Sequence, residues 1–375
     1  MNSNSPELRA NCAQKLLAAN EQARKLTAFV GLDGFVDEII HVVSERHNAE
    51  SFQRIATIEE FAQRIAAAAG KSANIELVNQ VTKLGGNGPI MANALASFGM
   101  KVTYLGALGY PTLHPVFQEF TQNAEVHTIA EPGHTDALEF TDGKLMFGKM
   151  VPLNEVTWEN IQTRFGRDRF TAKFSDADLV GFVNWTMIPY MSDLWDSLLR
   201  ELCPKLAGPR RKIFFDLADP AKRTPNDISR ALELIRLFEQ YFDVILGLNE
   251  QEAFEIGVVL GLAPKPHNPD SLSALCREIG RHLPINTVVV HPVTYALAVS
   301  GQVVTLIDGP FVDKPLITTG AGDHFNSGFC LGKLLRFDNA MSLLTGVATS
   351  AYYVRTGQSP TIPQLAEMMG NWPEK

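Results

Sequence analysis

Apolar runs of strand length alternate along this chain with amphipathic stretches of helix length. The runs at 177–182 (ADLVGF) and 212–217 (KIFFDL) are apolar at most positions, which is typical of strands buried on both faces of a parallel sheet. Repeated alternation of this kind predicts an α/β fold, a doubly wound, mostly parallel sheet with helices on both faces. The predicted strands are Thr27–Leu32, Lys101–Leu108, Asp178–Asn184, Lys212–Asp216, Asp243–Leu248 and Asn286–His291, and the predicted helices are Ile58–Ala69, Pro89–Phe98, Met191–Leu202, Ile228–Gln240, Asn249–Val259 and Ser271–Arg281.

Two segments interrupt this alternation and predict a second, smaller sheet. Asp37–His47 has the composition of a strand directly after the first strand, and His127–Val151 reads as two strands joined by a turn at Asp142–Gly143. We therefore expect a small β lid made of residues 37–47 and 127–151. The large α/β domain is predicted to comprise residues 1–36, 48–126 and 152–375, with an extra helix before Thr27.

Charge and composition exclude several classes of protein. The chain carries 33 basic and 41 acidic side chains, a net charge of −8, and so lacks the positive surface of a general nucleic-acid or membrane-surface binder. No apolar run reaches the ~18 residues that span a bilayer, and the N-terminus lacks a signal-peptide pattern. The four cysteines are scattered without a CxxC pair. These features predict a cytoplasmic protein with no nucleic-acid or membrane partner.

The segment 317–335 (ITTGAGDHFNSGFCLGKLL) carries the strongest chemical signal. Its glycines allow close backbone approach, and the apolar spacing that follows predicts a helix. Free amides at Gly320, Ala321 and Gly322 would then lie at a helix N-terminus, which is an anion site. Asp323 falls in the first turn, where a lone Asp is usually only a partner of the helix dipole. Beside an anion site, the same carboxylate is placed to take a proton from a hydroxyl that attacks a bound phosphate.

Other catalytic motifs are absent from the sequence. There is no G-x-x-x-x-G-K-[ST] phosphate loop, and no G-x-G-x-x-G of a dinucleotide fold. The G-x-S-x-G of α/β-hydrolases and the H-E-x-x-H of zinc proteases are missing as well. The sequence therefore favours phosphoryl chemistry at the 320–323 segment over these alternatives.

The motif TGAGDHFNSGF resembles the C-terminal signature of the ribokinase-like (PfkB) family of carbohydrate kinases. The resemblance implies a ribokinase-like fold with a small β-sheet lid, and use of ATP with Mg²⁺. It also implies that Asp323 is the general base and that the backbone at Gly320, Ala321 and Gly322 stabilises the transferring phosphoryl group.

The sugar-binding side of the family is matched near the N-terminus. LGGNGPIMANALASFG (84–99) resembles the Gly-Gly signature, which implies that Gly85, Gly86 and Asn87 hold the sugar. Taken alone, this segment is a plain entry from a loop into a helix. The family also has a sugar-binding Asp after its first strand, and two residues fit that description. Asp37 is the first choice and Asp33 the alternative, with Asn184 as a further predicted sugar contact.

The nucleotide side is matched by GLNEQEA (247–253), which resembles the family's N-x-x-E element. The resemblance implies that Glu252 orients magnesium-bound water near the phosphates, with Asn249 beside it. The alternative is an N-cap Asn followed by a first-turn Glu. Thr319 is a further predicted nucleotide contact. Adenine is predicted between the helices at 323–335 and 338–353, where the small residues Gly328, Gly332, Gly346 and Ala348 leave room.

Four departures indicate a divergent family member. Ile317 replaces an Asp that helps to bind an activating monovalent cation, so no potassium dependence is predicted. Ile90 and Tyr110 replace residues common in the family's sugar-side segments. HPVTYA (291–296) stands where members have a glycine-rich turn against the nucleotide.

The resulting hypothesis is a kinase that transfers the γ-phosphoryl group of ATP to a hydroxyl of a sugar or sugar-like molecule. A nucleoside kinase of the same superfamily and a catalytically silent sugar- or nucleotide-binding paralogue are the alternatives. Because exposed lid edges often pair, and family members often dimerise through them, a homodimer through the lid is also predicted.

Overall fold

Helices and strands alternate along the computed structural model, which describes residues 4–263 and 266–373. The terminal residues of the predicted domains therefore lie partly outside the described residues. The strands are β1 (Thr27–Leu32), β2 (Phe35–Arg46), β3 (Phe52–Arg54), β4 (Leu77–Gly85), β5 (Lys101–Ala107), β6 (Glu125–Ala130), β7 (Gly133–Glu139), β8 (Lys144–Lys149), β9 (Leu179–Phe182), β10 (Arg211–Asp216), β11 (Phe242–Leu248), β12 (Thr287–Val290), β13 (Tyr295–Ser300) and β14 (Val303–Asp308). The α-helices are α1 (Pro6–Ala18), α2 (Asn20–Ala23), α3 (Ile58–Ala66), α4 (Asn87–Ser97), α5 (Trp158–Asn160), α6 (Arg167–Asp176), α7 (Met191–Glu201), α8 (Pro225–Phe238), α9 (Glu250–Val259), α10 (Pro269–His282), α11 (Ala321–Leu334), α12 (Asn339–Thr356) and α13 (Ile362–Gly370).

The predicted strands and helices are all present, with ends shifted by a few residues. β9 ends at Phe182 rather than at Asn184 because Asn184 has a left-handed backbone, with φ of 59°, and the chain turns there. α8 begins earlier than predicted, at Pro225, since the Thr224 side chain caps it and proline suits the first helical position.

The large sheet has the strand order β14-β13-β12-β11-β10-β9-β1-β5-β6. The pairs from β12 to β6 are parallel, whereas β12–β13 and β13–β14 are antiparallel. Neighbouring residues of β10 pack into different apolar clusters, Phe214 into one and Phe215 into the other, as expected of a strand covered on both faces. The predicted doubly wound, mostly parallel sheet is confirmed.

The order of the strands reverses between β1 and β9. From β1 the chain adds β5 and β6 on one side, and from β9 it adds β10, β11 and β12 on the other. Ligands of open α/β sheets bind outside the carboxyl ends of the strands at such a reversal. Asp33 directly follows β1 and Asn184 closely follows β9, so the topology brings these two side chains together.

A separate sheet of five strands, β2, β3, β4, β7 and β8, lies beside the large one, as expected. Its composition differs from the predicted segments, since β3 and β4 lie outside them. Conversely, residues 127–130 belong to β6 of the large sheet. The sequence does not predict β4, because most of its side chains are exposed and several are polar. Helix α3 covers this small sheet through Phe61, which packs beside Ile40, Val42 and Leu138.

The predicted extra helix before Thr27 is α1, which begins after the cap of Ser5. Cys12 and Leu16 of α1 are buried in the same apolar cluster as Ile362 and Leu365 of α13. The N-terminal helix is thereby joined to the C-terminal end of the chain. Among the described residues, no helix has the length and apolar character needed to cross a membrane.

Candidate active site

A turn at residues 85–88 forms the centre of the candidate site. It links the end of β4 in the small sheet to the start of α4, and Gly86 has a positive φ of 101°. A side chain on Gly85 would overlap the Asp37 carboxylate. One on Gly88 would overlap Asp33 and the hydroxyl of Tyr104. Glycine is therefore required here because carboxylates approach the backbone closely.

Asp33 is fully buried at the carboxyl end of β1. Its Oδ1 accepts hydrogen bonds from the Gly88 amide at 2.9 Å and the Tyr104 hydroxyl at 3.2 Å, and its Oδ2 accepts one from Asn184 Nδ2 at 2.8 Å. Burial raises the pKa of Asp33 to about 6, although the hydrogen bonds oppose the shift. Asp33 thus joins the turn to the end of β9.

The side-chain amide of Asn184 is only partly hydrogen-bonded. Its amide nitrogen binds Asp33, but its buried Oδ1 has no hydrogen-bond partner among the described residues. Buried amide oxygens are almost always hydrogen-bonded. The Asn184 Oδ1 beside the strand ends is therefore able to accept one further hydrogen bond.

Asp37 lies on β2 of the small sheet and is also buried. Burial raises the pKa of its carboxyl, while the Thr135 side chain and the charges of Lys83 and Lys144 oppose that shift. The carboxylate lies against the backbone of Gly85. Both sequence candidates for the sugar-binding Asp therefore border the same turn, Asp37 at its beginning and Asp33 at its end.

Asp323 reaches the turn from the opposite side. It is buried in the first turn of α11, and its Oδ1 accepts a hydrogen bond from Asn87 Nδ2 at 3.0 Å. Burial, together with the charges of Asp33 and Glu252, raises the pKa of Asp323 to about 8 against the effect of Asn87. A carboxyl with this pKa can both accept and release a proton near neutral pH.

Gly320 precedes α11 with φ of 89°, so the helix begins as predicted. The amides of Gly320 and Gly322 donate no hydrogen bond to any described residue, whereas the Ala321 amide donates to the Thr318 carbonyl at 3.2 Å. A Cβ on Gly322 would lie 3.0 Å from the ring of His291. Two amides at the N-terminus of a long helix are thus available to an anion.

Asn249 and Glu252 form a capping box at the start of α9. The Glu252 oxygens accept hydrogen bonds from the amides of Asp219 and Asn249, each at 2.8 Å. The structure therefore contains the N-cap Asn and first-turn Glu that the sequence suggests as an alternative, and this capping box holds the Glu252 carboxylate in one orientation. Its buried neighbour Asp216 accepts hydrogen bonds from the Ala218 amide and Asn326 Nδ2, and burial beside Glu252 raises the pKa of Asp216.

A cavity of about 1020 Å³ lies beyond the N-terminus of α11. The turn 291–294 between β12 and β13 forms one wall, and Val347, Ser350 and Ala351 of α12 form another. Thr318 and Gly322 border the cavity at the end that faces the anion site. Asn249 also borders it, which places the start of α9 beside the same space.

The space at Gly328, Gly332 and Gly346 is filled by helix packing. Side chains on Gly328 and Gly332 would overlap Thr349 and Ser342, and one on Gly346 would meet Phe325. These glycines therefore let the two helices approach each other, and the cavity is bordered by Gly322 and Phe325 of α11 and by residues of α12. Thr319 contributes a carbonyl that accepts a hydrogen bond from the Tyr353 hydroxyl at 3.0 Å.

Among residues 4–263 and 266–373, no three His, Cys, Asp or Glu side chains are grouped to hold a metal ion. Mg²⁺ commonly takes most of its ligands from phosphate oxygens and water. The Glu252 oxygens, which two amides hold in place, are able to accept a hydrogen bond from such a water.

Several site residues carry no local sequence signal. Tyr104 looks like an ordinary strand residue, and only the folded sheet brings its hydroxyl to the Asp33 carboxylate. Asn4, Arg9 and Trp372 border the cavity from the two ends of the chain. The stacking of Arg9 over Trp372, at 5.4 Å, joins those ends. Contacts between such distant segments are not encoded in any short motif.

Sequence comparison gives two matches that span nearly the whole chain. A family model described as prokaryotic ketohexokinase matches residues 4–372. The ketohexokinase of Haloferax volcanii is 31% identical over 337 residues, which cover 89% of this chain and 88% of the relative.

Solved structures show the same fold at low sequence identity. The ribokinase of Arabidopsis thaliana, complexed with ribose and ATP, has a TM-score of 0.64 at 15% identity and covers 92% of this chain and 98% of its own. The nucleoside kinase of Methanocaldococcus jannaschii, an archaeal member of the ribokinase family, has a TM-score of 0.57 at 13% identity with the same coverage of both chains, 92% and 98%.

Proposed function

The chain belongs to the prokaryotic ketohexokinase family, and from that premise we propose that it transfers the γ-phosphoryl group of ATP to a hydroxymethyl group of a ketohexose. Membership makes it a sugar kinase, a phosphotransferase with an alcohol acceptor, in agreement with the resemblance read from the sequence. The donor, the acceptor and the roles of the residues are the proposal.

The observation that carries the proposal is the convergence of three buried carboxyls on one glycine turn. Asp37 contacts Gly85, Asp33 accepts from the Gly88 amide, and Asp323 accepts from Asn87 Nδ2. A sugar presents several hydroxyls that need acceptors, and only one of them must lose its proton. Two carboxyls that accept hydrogen bonds from sugar hydroxyls, and one that takes the proton of the attacking hydroxyl, meet that requirement.

Asp323 is the proposed general base. Its ionised carboxylate takes the proton of the attacking hydroxyl, whose oxygen forms a bond to the γ-phosphorus as the bond from that phosphorus to the β–γ bridging oxygen breaks. ADP leaves with the electron pair of the broken bond. Asn87 keeps one carboxylate oxygen in place, which leaves the other free to face the hydroxyl.

The amides of Gly320 and Gly322 are the proposed anion site for the transferring group, with Ala321 beside them. In phosphoryl transfer, catalysis comes mainly from positioning and from stabilising charge on the equatorial oxygens. Each donor of this kind contributes ~10²–10³-fold in rate. The N-terminus of α11 adds its dipole at the same point.

Asp33, Asp37 and Asn184 are the proposed sugar contacts, together with the turn at Gly85, Gly86 and Asn87. Asn184 Oδ1 accepts from a sugar hydroxyl, which supplies its missing partner. Of the two Asp residues, Asp33 is already bonded to both the turn and Asn184, so it is the better-supported contact.

The cavity beside α12 is the proposed nucleotide site. Its end at Thr318 and Gly322 meets the anion site, so a triphosphate can extend from the cavity toward Asp323. Mg²⁺, carried on the phosphates, would supply charge stabilisation there. Asn249 and Glu252 would orient its water, and Thr319 and Gly346 would support the site indirectly through Tyr353 and Phe325.

The small sheet is the proposed lid and the proposed surface of a homodimer. Exposed apolar side chains lie on its strands β4 and β8: Leu77, Val81, Met146 and Phe147. Apolar side chains on an exposed sheet favour pairing with a second copy. The acceptor site lies under this sheet, and coverage would exclude water that competes as an acceptor.

A panel assay tests the proposal. ADP release is measured with ATP and Mg²⁺ against a ketohexose such as D-fructose, an aldopentose such as D-ribose, and a nucleoside. The ketohexose is expected to give the highest kcat/KM, and Asp323→Asn, assayed in parallel, shows how much of that release needs the carboxylate.

Two other outcomes of the panel assay would contradict the proposal and indicate a different function. A preference for the nucleoside would indicate a nucleoside kinase. Tight binding of sugar and nucleotide without ADP release, in protein that is folded by circular dichroism, would indicate a silent binding protein.

A further inference from the structure

His324 and Tyr353 contact the loop of the predicted anion site, and neither side chain is among the residues that border the cavity. Their rings stack with centroids 3.6 Å apart and planes inclined by 12°. His324 belongs to the first turns of α11, and Tyr353 lies near the end of α12. The pair therefore joins the helix that carries the proposed base to its neighbour.

Both side chains hold carbonyls of the loop that precedes α11. His324 Nδ1 lies 2.7 Å from the Gly320 carbonyl, and the Tyr353 hydroxyl donates to the Thr319 carbonyl at 3.0 Å. Because a carbonyl only accepts, His324 carries its proton on Nδ1. Its Nε2 then accepts from the Ser359 hydroxyl at 2.8 Å. The orientation of the ring is thus fixed at both nitrogens.

The two carbonyls determine the direction of the anion-site amides. Each peptide plane is rigid, so fixing the Thr319 carbonyl fixes the Gly320 amide in the same plane. The Gly320 carbonyl accepts from both the backbone amide of His324, at 3.1 Å, and its imidazole, which fixes the next peptide plane; the Ala321 amide of that plane donates to the Thr318 carbonyl and closes the loop. Gly320 itself has no side chain and a left-handed φ of 89°, so its backbone has more freedom than any other residue type would have there. External hydrogen bonds are what restrict it.

We propose that His324 and Tyr353 are positioning residues for phosphoryl transfer, which hold the two peptide units on either side of Gly320 so that the free Gly320 amide points at the transferring group. This inference rests on the proposed function. Neither residue contacts substrate. They act through the backbone, and their effect appears in turnover rather than in binding of the ground state, because preorganised donors matter most where charge develops.

The chain offers matched variants for the test. Tyr353→Phe keeps the stacked ring and removes only the hydroxyl that binds Thr319. Tyr352→Phe is the control, since Tyr352 is the adjacent residue of α12 and no hydrogen bond of its hydroxyl is described. His324→Ala removes both bonds of the imidazole, whereas His324→Asn keeps an amide donor that is able to reach the Gly320 carbonyl from the same helical position.

Steady-state kinetics with ATP and the best sugar of the panel is the measurement. Tyr353→Phe and His324→Ala are expected to lower kcat by about tenfold or more, with the KM for sugar within twofold of wild type. His324→Asn is expected to recover part of the loss, and Tyr352→Phe to match wild type. Affinity for ADP should stay constant, while affinity for ADP with aluminium fluoride, a mimic of the transferring group, should fall in parallel with kcat.

The outcomes separate this inference from the proposed function. If wild-type protein releases no ADP with any sugar, the proposed function fails first. If wild type is active and folded Tyr353→Phe and His324→Ala keep full kcat, the positioning role is wrong. If the variants show a lower kcat, higher KM values for both sugar and ATP, and lower thermal stability to a similar extent, the pair only supports the fold.

Discussion

The two ends of the candidate site are built in different ways. At the sugar end, Asp33, Asp37 and Asp323 are buried, the turn at 85–88 donates hydrogen bonds to Asp33 and Asp323, and the Asp37 carboxylate lies against Gly85. At the nucleotide end, a cavity of about 1020 Å³ is bordered by helix faces and by a loop whose Val293 is fully exposed. A ligand at the sugar end would meet polar groups of fixed orientation, whereas a ligand at the nucleotide end would mainly have to fit the shape of the cavity.

This difference predicts how each end tolerates change. Discrimination by directed polar groups is steep, because a mismatch leaves a buried atom unpaired. Discrimination by an apolar cavity is shallow, since a change of a methylene is worth ~1–3 kcal/mol. We therefore expect substitutions at the sugar end to change chemistry and specificity, and substitutions at the nucleotide end to change the KM for ATP modestly.

The sharpest test of the comparison is Asp323→Asn. Loss of the base is expected to lower kcat by ~10²–10⁴-fold, while nucleotide affinity, measured by calorimetry with ADP, stays near that of wild type. Thermal unfolding provides the control for folding. Undiminished turnover in the folded variant would remove Asp323 as the base.

The pH dependence of wild type is the next largest effect. With the pKa of Asp323 raised to about 8 by burial, the free enzyme holds the proton at lower pH and the base is inactive. The value of kcat/KM for sugar is therefore expected to rise about tenfold per pH unit up to that pKa and then to level off. A profile measured from pH 5.5 to 9 that stays flat below pH 8 would contradict this assignment.

Asn184→Gly separates sugar binding from nucleotide binding. Glycine tolerates the positive φ of 59° at this position, so the variant removes the amide without straining the backbone. Loss of the proposed bond from a sugar hydroxyl to Oδ1 is expected to raise the KM for sugar on the order of tenfold. The KM for ATP serves as the internal reference, and a parallel rise in both constants would break the comparison between the two ends.

The smallest effect is expected at the nucleotide end. Ala351→Phe places a ring in the cavity beside α12 and is expected to raise the KM for ATP roughly fivefold, which corresponds to about 1 kcal/mol of lost binding. The KM for sugar should not change. Val258→Ala, at an exposed position outside the cavity, is the control and should leave both constants at wild-type values.

The fold was predictable because its signals are local. Each buried parallel strand, such as 212–217, is a continuous apolar run, and amphipathic spacing marks the helices, although the capped start of α8 at Thr224–Pro225 lies before the predicted Ile228. Strand β4 was missed since its side chains are largely exposed and polar, and its place in the small sheet is set by pairing with β2. Pairing between distant segments has no counterpart in local periodicity.

The candidate site was predictable to the extent that it lies in short motifs. The Gly-Gly segment and the Gly320–Asp323 segment each carry their glycines and polar residues in sequence, so their residues were identified before the fold was known. The Tyr104 hydroxyl on Asp33 and the Tyr353 hydroxyl on Thr319 join segments that are far apart in the chain. Gly346 was predicted from the family's helix pair, but its backbone contacts Phe325 instead of the cavity.

The turn at 85–88 is also one of the places where the chain passes between the small sheet and the large domain. Gly85 is the last residue of a small-sheet strand, and two positions later Asn87 holds the carboxylate of Asp323. Gly86 lies between them, so the strand β4 and the Asn87 amide that binds the Asp323 carboxylate are covalently adjacent. If Asp323 is the base as proposed, a fluorophore on β4 should change its emission when sugar binds.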